Sequence, residues 1–467
     1  MKIGLVGPSS QERSLPFNAQ RTVNFYPVLD KMGKEVAALY GTPGLSLFST
    51  AGVGPVRGLY YTAGGRAFAV SGSKLYEISS AGSATERGIL NSSTGAVSIE
   101  ENGFQLGVCD GTDFYIFTFA TNVFAEVTDP QLPSPAATVT FIDGYFIINK
   151  GGTGEFYISA LYDGTSWAAL DFATAESSPD ETKRVLNGVG VLWLLGTKTT
   201  EIWTNTGASS FPFQRTAGGK METGILAPLT AVAVDNSIFW VGADSYGAGV
   251  VFRAQGYTAQ RISTNAIEKI IQTATSQEDM LAYTYQEEGH VFYVLTGGGL
   301  PTTLVYDIST QLWHERAFLN VEGEFEQHLG NSGMFAFGKQ LVGSRLNGEI
   351  YWMSQDFYSD NGNEIASERI YTYTSDENRR IRYNRLEIGF ETGVGLQTGQ
   401  GSDPVCTLSL SKDGARTWSD PQTKPIGRAG EYFTTVAFRR LGVAKSITFK
   451  LRITDPVKRA IVGSYLS

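Results

Sequence analysis

The chain has 467 residues, which is long enough for two or three domains. Of these residues 42% are hydrophobic and 18% are charged, a composition that excludes a disordered protein. Its net charge of −9 argues against a dedicated nucleic-acid-binding protein, which would carry a basic face. No stretch approaches about 18 consecutive apolar residues and the N-terminus has too short an apolar run for a signal peptide, so neither a membrane span nor secretion is expected.

Residues 1–50 lack the repeat that follows and are predicted to form an N-terminal arm. RTVNFYPVLD (21–30) is a candidate strand. GTPGL (41–45) is a candidate tight turn, because Pro43 fixes its own φ and Gly44 is free to take a positive φ. We expect the arm to dock on the C-terminal domain or on a neighbouring subunit.

A repeating unit fills the middle of the chain. An apolar strand ends in a small or Gly-containing turn, and a second strand follows with an aromatic residue near its centre, as in FAVSGSKLYEI (68–78). The seven residues at that position, here called the anchor aromatics, are Tyr76, Tyr115, Tyr157, Trp203, Phe252, Tyr306 and Tyr351. Their spacings of 39 to 54 residues are typical of β-propeller blades.

The repeat predicts an all-β chain with a β-propeller over residues 51–360. Seven anchors indicate six or seven blades, and the closing blade can combine strands from both ends of the region. A stack of β-sandwiches is the alternative, and it ranks second because the repeat keeps a fixed period.

Two segments inside the propeller region stand out. YDISTQLWHER (306–316) resembles the Tyr-Asp…Trp segment of kelch blades, where the Trp has a packing role. NAIEKIIQTATSQEDML (265–281) has apolar residues at helical spacing and predicts a short surface helix between blades, with Asn265 as its N-cap.

The residue pattern of the repeat ends after residue 355, and residues 361–467 are predicted to form a C-terminal β-sandwich. In SITFKLRITDP (446–456) apolar residues alternate with Thr, Lys and Arg, the pattern of a half-buried strand with a cationic outer face. Four or more such strands make a sandwich of about one hundred residues.

The stretch SKDGARTWSD (411–420) resembles the Asp-box turn of sialidases. Ser411, Asp413, Thr417 and Trp418 fit the pattern, whereas Ala415 stands where Gly is usual. In an Asp box the Asp side chain bonds backbone N–H groups of its own hairpin turn, so the motif is structural and lies away from sialidase catalytic residues. We therefore predict a turn staple and no catalytic residue here.

No motif for a metal, a cofactor or a nucleophile is present. The three histidines, His290, His314 and His328, lack HxH or HExxH spacing. Glu322, Glu324 and Glu326 are alternate residues, a spacing that in a strand places all three on one face, where paired carboxylates are one basis for acid–base chemistry. An acidic edge facing solvent or a subunit interface is the favoured interpretation. The two cysteines are expected to be buried free thiols.

Arginines cluster at the start and near the end of the C-terminal domain. They are Arg379, Arg380, Arg382, Arg385, Arg439 and Arg440. Because Arg pairs with carboxylates in a planar, bidentate geometry, we interpret these residues as subunit-interface charge. Solvated surface and contact with DNA phosphates are the alternatives.

An ordered set of segments resembles one protein family. DGTSWAALDFATAESSPDE (163–181), GTKTTEIWTNTGASSFPFQR (196–215) and FWVGADSYGAGVVFRAQGYTAQRISTNAIE (239–268) are similar to segments of the packaged-DNA stabilisation proteins of short-tailed bacteriophages. VNFYPV and GTPGL near the N-terminus agree, as does the C-terminal series from SKDGARTWSD to LRITDPVKRAIVGSYL. The resemblance covers most of the chain.

The resemblance implies a structural protein of the phage tail, made in the host cytoplasm and incorporated into the virion. Such proteins form a six-fold ring, a nozzle below the portal and its ring-shaped adaptor, and help to close the channel after packaging. They hold a tail needle or plug and spikes or fibres, and double-stranded DNA passes through the lumen without specific binding. They are not enzymes, so no catalytic residue, cofactor or metal is implied.

Two rival functions remain at this stage. A propeller glycosidase or lyase that degrades host polysaccharide predicts a carboxylate cluster in a central cleft. A soluble propeller scaffold without a phage role predicts no incorporation into a particle.

Overall fold

The fold is nearly all β-structure. A computed structural model describes residues 1–30, 36–175, 178–244, 247–374 and 379–467. The first fifty residues contain the strands β1 (Arg21–Val23), β2 (Phe25–Leu29), β3 (Ala37–Gly41) and β4 (Gly44–Thr50). No helix in the described part of the chain is long and apolar enough to cross a membrane.

The first four blades of the propeller are antiparallel sheets whose four strands follow one another in chain order. Blade one comprises β5 (Val56–Tyr61), β6 (Ala67–Ser71), β7 (Lys74–Ile78) and β8 (Ala84–Ile89). Blade two comprises β9 (Ser98–Glu101), β10 (Gln105–Cys109), β11 (Phe114–Thr118) and β12 (Val123–Glu126). Blade three comprises β13 (Ala136–Ile142), β14 (Tyr145–Lys150), β15 (Glu155–Ala160) and β16 (Asp163–Thr174). Blade four comprises β17 (Thr182–Gly188), β18 (Val191–Gly196), β19 (Thr200–Asn205) and β20 (Phe213–Met221).

The last three blades are less regular. In blade five the innermost strand is split into β21 (Gly224–Ile225) and β22 (Val232–Val234) around a 3₁₀ turn, and β23 (Ser237–Asp244), β24 (Gly247–Gln255) and β25 (Thr258–Arg261) follow. Blade six comprises β26 (Met280–Glu287), β27 (His290–Gly297), β28 (Thr303–Asp307) and β29 (Leu312–Leu319), with the short β30 (Phe325–Gln327) paired to β29. Blade seven comprises β31 (Gly330–Ala336), β32 (Lys339–Ser344) and β33 (Glu349–Ser354), and β4 pairs with β33 as its fourth strand.

Seven blades are therefore present among the described residues, and each of the seven anchor aromatics lies in the third strand of its blade. The closing blade combines strands from both ends of the region: β4 belongs to blade seven although it falls in the segment assigned to the arm from sequence. A fourth strand supplied from the other end of the chain closes the ring through backbone hydrogen bonds.

Apolar clusters between successive blades hold the ring together. Seven such clusters lie between the seven pairs of neighbouring blades, including the pair formed by blades seven and one. Trp240 of blade five, for example, is fully buried against blade four. Because each blade buries both of its faces against neighbours, closing the ring leaves no blade without a neighbour on either face.

One helix interrupts the propeller. Helix α1 (Asn265–Gln272) packs Ile267 and Ile271 into the core between blades five and six. The predicted N-cap is wrong by one residue: the side chain of Thr264, which precedes the helix, accepts the hydrogen bond from the Ile267 N–H, and Asn265 is the first helical residue. Both residue types cap helices, so composition alone did not discriminate between them. The kelch-like Trp313 has the expected packing role, with its ring 5.1 Å from that of Tyr306.

The C-terminal domain is a two-sheet sandwich. A small hairpin of β34 (Ser359–Asp360) and β35 (Asn363–Glu364) precedes it. The sandwich strands are β36 (Ser367–Thr374), β37 (Ile381–Phe390), β38 (Val405–Ser411), β39 (Gln422–Pro425), β40 (Val436–Ala444), β41 (Ser446–Ile453) and β42 (Ala460–Leu466). In β41 the apolar residues Ile447, Phe449, Leu451 and Ile453 are buried, as their alternation predicts.

The N-terminal segment joins both sheets of the sandwich to the propeller. β1 pairs with β36 of the first sheet and, on its other side, with β29 of blade six, so these strands form one continuous sheet. The second sheet has the order β2-β3-β42-β37-β40. Ile3 and Leu5 contribute to the sandwich core. The sandwich therefore lies at the rim of the propeller beside blade six.

Candidate functional site

An axial cavity of about 870 Å³ opens on one face of the propeller. It is lined by the loops between blades and by the turns that join second to third strands, which share a face in an antiparallel meander. Three cationic and three anionic residues line it, namely Arg57, Lys183, Arg345, Glu181, Glu278 and Asp279, and no Tyr is among the lining residues of this described cavity. The cavity thus has balanced charge.

Several charged groups of the cavity have partners within the fold. The Arg57 guanidinium donates to the carbonyl oxygens of Gly72, Ser92 and Gly95. Glu181 lies 3.0 Å from the Lys183 ammonium group. These contacts engage the groups in structural roles.

The Asp-box-like turn forms a staple. The Asp413 carboxylate accepts hydrogen bonds from the backbone N–H groups of Arg416 and Thr417, at 3.1 and 3.0 Å, and from the hydroxyls of Ser411 and Thr417, both at 2.7 Å. These four donors hold the pKa of Asp413 well below its usual range. Trp418 lies under the Lys450 ammonium, which is 4.5 Å from the ring centroid.

Ala415 occupies a left-handed backbone conformation, with φ of 66°. That conformation explains why the Asp-box pattern has Gly at this position. The turn connects β38 to β39, and Gly414 packs against Pro16 of the N-terminal arm. The turn is therefore part of the contact between the arm and the sandwich.

The arginines predicted as interface charge lie on or beside the outer face of the second sheet. Arg385 of β37 is directly opposite Arg439 of β40, and Arg382 is exposed on the same strand as Arg385. Two Arg residues facing each other across strands repel unless they are neutralised. Arg385 contacts Glu387 at 2.5 Å, whereas the structure gives Arg382 and Arg439 no ion pair among the described residues. We call Arg382, Arg385 and Arg439 the sandwich Arg face.

The other predicted arginines lie nearby. Arg379 and Arg380 immediately precede β37 and are exposed. Arg440 has a φ of 60° at a bulge of β40, where its side chain is exposed and that of Leu441 is buried. The bulge lets two consecutive arginines remain in solvent beside a buried core position.

The predicted acidic strand face is wrong in its geometry. Only Glu326 lies in a strand, β30, whereas Glu322 and Glu324 belong to the turn between β29 and β30. Their backbone N–H groups donate to the Asn320 side-chain oxygen, and Glu326 contacts Arg345 at 3.3 Å. Alternate residues share a face only within a continuous strand, and a turn interrupts this one, so the three carboxylates do not form one row. We call residues 320–325 the blade six hairpin.

The histidines do not gather into a metal site. His290 Nδ1 is 2.7 Å from Asp307 Oδ2, His328 Nε2 is 2.9 Å from the Arg316 guanidinium, and His314 is buried. Burial lowers the pKa of His314 to about 3, and burial beside Arg316 also lowers the pKa of His328. Among the described residues no group of three or more His, Cys, Asp or Glu is placed to hold a metal ion.

Sequence reasoning missed a buried polar junction between the arm, the sandwich and blade six. The fully buried Arg369 guanidinium donates to Leu5 O at 2.6 Å, to Pro8 O at 3.0 Å and to Thr22 Oγ1 at 2.8 Å. Burial lowers the pKa of Arg369 to about 9.

The same junction contains two further cross-links. Arg21 contacts Glu315 of blade six at 2.7 Å. Asn24, at a positive φ, donates to the carbonyl oxygens of Ala317 and Ala366. The positive φ of Asn24 is typical of Asn, but its partners almost 300 and 340 residues away leave no local signal. These bonds join three parts of the chain.

The protein combines a seven-bladed β-propeller with a C-terminal β-sandwich, and a buried polar junction joins the two. A family model described as "Bacteriophage P22 Gp10, beta-propeller" matches residues 1–358, and a second, described as "Bacteriophage P22 Gp10, beta-sandwich", matches residues 368–467. The chain belongs to the bacteriophage P22 Gp10 family of tail nozzle and DNA-stabilisation proteins. The predicted family and fold are confirmed.

The fold is distantly similar to that of other solved structures. No curated protein matches the sequence. The computationally designed Ika8 protein is 13% identical, with 72% of this chain and 100% of that chain covered and a TM-score of 0.39. The WD40 domain of Neurospora crassa Pan2 is 8% identical, with 64% and 89% covered and a TM-score of 0.42. Similarity at this level carries no argument about function.

Proposed function

We propose that the chain forms a six-fold ring on the phage tail, below the portal and its adaptor. There it acts as a nozzle that helps to retain packaged DNA and forms the ejection channel. The observation that carries this proposal is the match of both domains to the P22 Gp10 family along nearly the whole chain. In such a ring each copy binds the next through the same heterologous contact, and the repeated rotation closes the ring, so all copies have equivalent surroundings.

The continuous packing of the molecule supports a role in a pressure-bearing wall. Seven blades share apolar cores with both neighbours, and the sandwich is joined to blade six by a continuous sheet. Buried hydrogen bonds from Arg369 fix the arm against the sandwich. A net charge of −9 also supports passage of DNA without adhesion, because like charges repel.

We further propose that the chain is not an enzyme and acts through protein partners. These are the adaptor, a tail needle or plug, and spikes or fibres. The balanced charge of the axial cavity and the engagement of Arg57 and Glu181 in structural contacts support this view over a glycan-degrading propeller.

The predicted subunit interface is part of this proposal. The sandwich Arg face is exposed and rich in Arg, a residue type enriched at interfaces. Glu322, Glu324 and Glu326 of a neighbouring copy are one candidate partner for these Arg residues, and another acidic surface of that copy is the alternative.

Deletion of the chain tests the proposed function. Phage lacking it should fill their heads and then lose the DNA, and supplied wild-type chain should restore stable, infectious particles. The measurement is nuclease-protected DNA per capsid before and after addition of the chain. Particles that keep their DNA without the chain would contradict the nozzle role. Hydrolysis of an acidic host glycan by the purified chain would instead support the enzymatic alternative.

A further inference from the structure

Charge is divided unequally along the molecule. Residues 98–174, which span blades two and three, contain ten Asp and Glu and one Lys, a formal charge of −9 that equals the charge of the whole chain. Residues 367–467, the sandwich, contain sixteen Lys and Arg against ten Asp and Glu, a formal charge of +6. The chain thus has one strongly acidic and one basic region.

These two regions lie at opposite sides of the molecule. The sandwich is attached beside blade six through the pairing of β1 with β29. In a closed ring of seven blades, blades two and three are each three positions away from blade six, which is the largest separation possible. A head-to-tail contact requires two different surfaces on each subunit, and surfaces far apart on the subunit leave room for a neighbour on each side.

An exposed apolar patch marks the acidic side. Phe104, in the turn between β9 and β10, is 65% exposed, and Leu161 and Tyr162, in the turn between β15 and β16, are 58% and 50% exposed. The Phe104 and Tyr162 rings meet edge to face, 6.2 Å apart, across blades two and three. Asp143 lies in the adjoining turn and is also exposed. We call Phe104, Leu161, Tyr162 and Asp143 the far-edge patch.

The far-edge patch is held rigidly. The buried Asn102 side chain accepts from the Phe104 N–H at 2.9 Å and donates to the Tyr162 carbonyl at 3.0 Å, so it ties the two turns together. Tyr162 has a φ of 56°, in a left-handed region that is unfavourable for a bulky residue. A large aromatic side chain exposed at such a backbone position is a candidate for an intermolecular contact.

The sandwich Arg face complements this patch. Its exposed arginines lie beside Tyr465 and Val443, which are partly exposed on the same sheet. Arg guanidinium groups pair with carboxylates and stack on aromatic rings. The sandwich thus offers a basic surface with Tyr and Val, and blades two and three offer an acidic surface with Phe, Leu and Tyr.

We propose that the far-edge patch of one copy docks on the sandwich Arg face of the next copy, as the repeating heterologous contact of the ring. This inference rests on the proposed ring function and specifies its interface. It assigns the partner of the arginines to blades two and three, whereas pairing with the blade six hairpin would use a surface next to the sandwich itself. Exposed apolar side chains in these turns are typical of a protein contact, whereas a surface that only faces DNA does not need them.

Chemical cross-linking in purified virions tests the contact directly. A chain with Leu161→Cys and Arg439→Cys, treated with a flexible bismaleimide, should give a ladder of covalent oligomers ending at the size of the ring. A second pair, Phe104→Cys with Arg439→Cys, repeats the test at a neighbouring position. The native Cys109 and Cys406 are buried, and burial raises the pKa of each thiol to about 12, so they do not compete.

Chains with only one of the new cysteines are the matched controls. They should give no covalent oligomers, since the proposed heterologous contact does not bring the same residue of two copies together. Dimers from a single-cysteine chain, or virions that contain the chain but give no ladder with either pair, overturn the proposed contact and leave the nozzle function intact. Absence of the wild-type chain from virions would instead overturn the nozzle function.

A second variant separates assembly from folding. Tyr162→Asn places a residue that tolerates positive φ in the turn, so the melting temperature of the isolated chain should stay equal or rise. Incorporation into particles should nevertheless fall at least several-fold, and Arg382→Glu/Arg439→Glu should act likewise. Val321→Ser/Glu322→Gln, which changes the 98% exposed Val321 and a carboxylate in the blade six hairpin, should assemble normally. Loss of assembly in that control together with normal assembly of Tyr162→Asn would overturn the proposal in favour of the hairpin.

Discussion

The blade interfaces and the domain junction are stabilised by different chemistry. Between blades, aromatic and aliphatic side chains pack in seven similar clusters, as where the Trp240 and Phe252 rings stack 5.7 Å apart. At the junction, buried polar groups such as Arg369 and Asn24 bind backbone carbonyls of distant segments. Apolar contacts recur from blade to blade, whereas each polar bond specifies a single docking geometry. Both are needed if a wall is to be stiff and its domains fixed in orientation.

Removing a blade-interface aromatic should have the largest effect. Trp240→Ala should lower the free energy of unfolding by about 3–5 kcal/mol, because it leaves a cavity between blades four and five and the carbonyl of Gly224 loses the indole N–H donor. Denaturant unfolding followed by fluorescence measures this, with Trp418→Ala on the sandwich surface as the control. A loss below about 1 kcal/mol would contradict a well-packed blade interface.

Breaking the polar junction should be the next largest effect. Arg369→Met should cost about 2–4 kcal/mol, since Leu5 O, Pro8 O and the Thr22 hydroxyl lose a donor in a buried site. The arm should also become more sensitive to proteases, and its backbone amides at residues 3–9 should exchange hydrogen faster. Arg369→Lys keeps the charge but serves fewer acceptors and should be intermediate. An arm equally protected in Arg369→Met would show that the guanidinium does not hold it.

Acid should lower the stability of the fold through His314, which lies in β29 of blade six beside the domain junction. Its folded-state pKa of about 3 is below the unfolded value of about 6.5, so the unfolded chain binds the additional proton between these values and stability falls as pH drops through that window. The slope is about 1.4 kcal/mol per pH unit. His314→Leu removes this titration, and the difference between the two chains from pH 6 to pH 4 measures it.

Other groups titrate in both chains of that comparison and cancel. Glu100, for instance, has a pKa raised to about 7 by burial, so its contribution runs the other way and is lost as pH rises. A constant difference between wild type and His314→Leu over this range would contradict a buried, neutral His314.

The smallest effect concerns the Asp-box-like turn. Ala415→Gly should stabilise the sandwich by up to about 1 kcal/mol, because Gly adopts the φ of 66° without steric cost. Gly414→Ala is the matched opposite: it is also at positive φ, and the added Cβ would lie 2.7 Å from Pro16. Thermal unfolding of the two variants should shift in opposite directions, and shifts of the same sign would contradict this account of the turn.

The sequence predicted the parts of the fold that repeat. The anchor aromatics mark the third strand of every blade because each packs in an equivalent inter-blade site, and the alternation in β41 identifies a sandwich strand. The predicted strand at residues 21–30 contains β1 and β2, whereas β3 and β4 were not predicted. The pairing of β1 and β4 was missed because their partners are hundreds of residues away and local periodicity does not encode such pairing. The three glutamates were misplaced because turn geometry, decided by Asn320, interrupts the strand.

The interaction surfaces were only partly visible in the sequence. The arginines were found by their density in the C-terminal domain, and their exposure on one sheet needed the structure. The acidic run through residues 98–174 is present in the sequence, but its position opposite the sandwich follows only from the order of the blades.

The most direct test of the central claim is the number of copies of this chain in purified virions, measured by quantitative mass spectrometry against the major capsid protein. A nozzle built as one closed ring on the tail axis predicts about six copies per particle. Absence of the chain from the particle would contradict a structural role in the tail and return the enzymatic and scaffold functions to consideration.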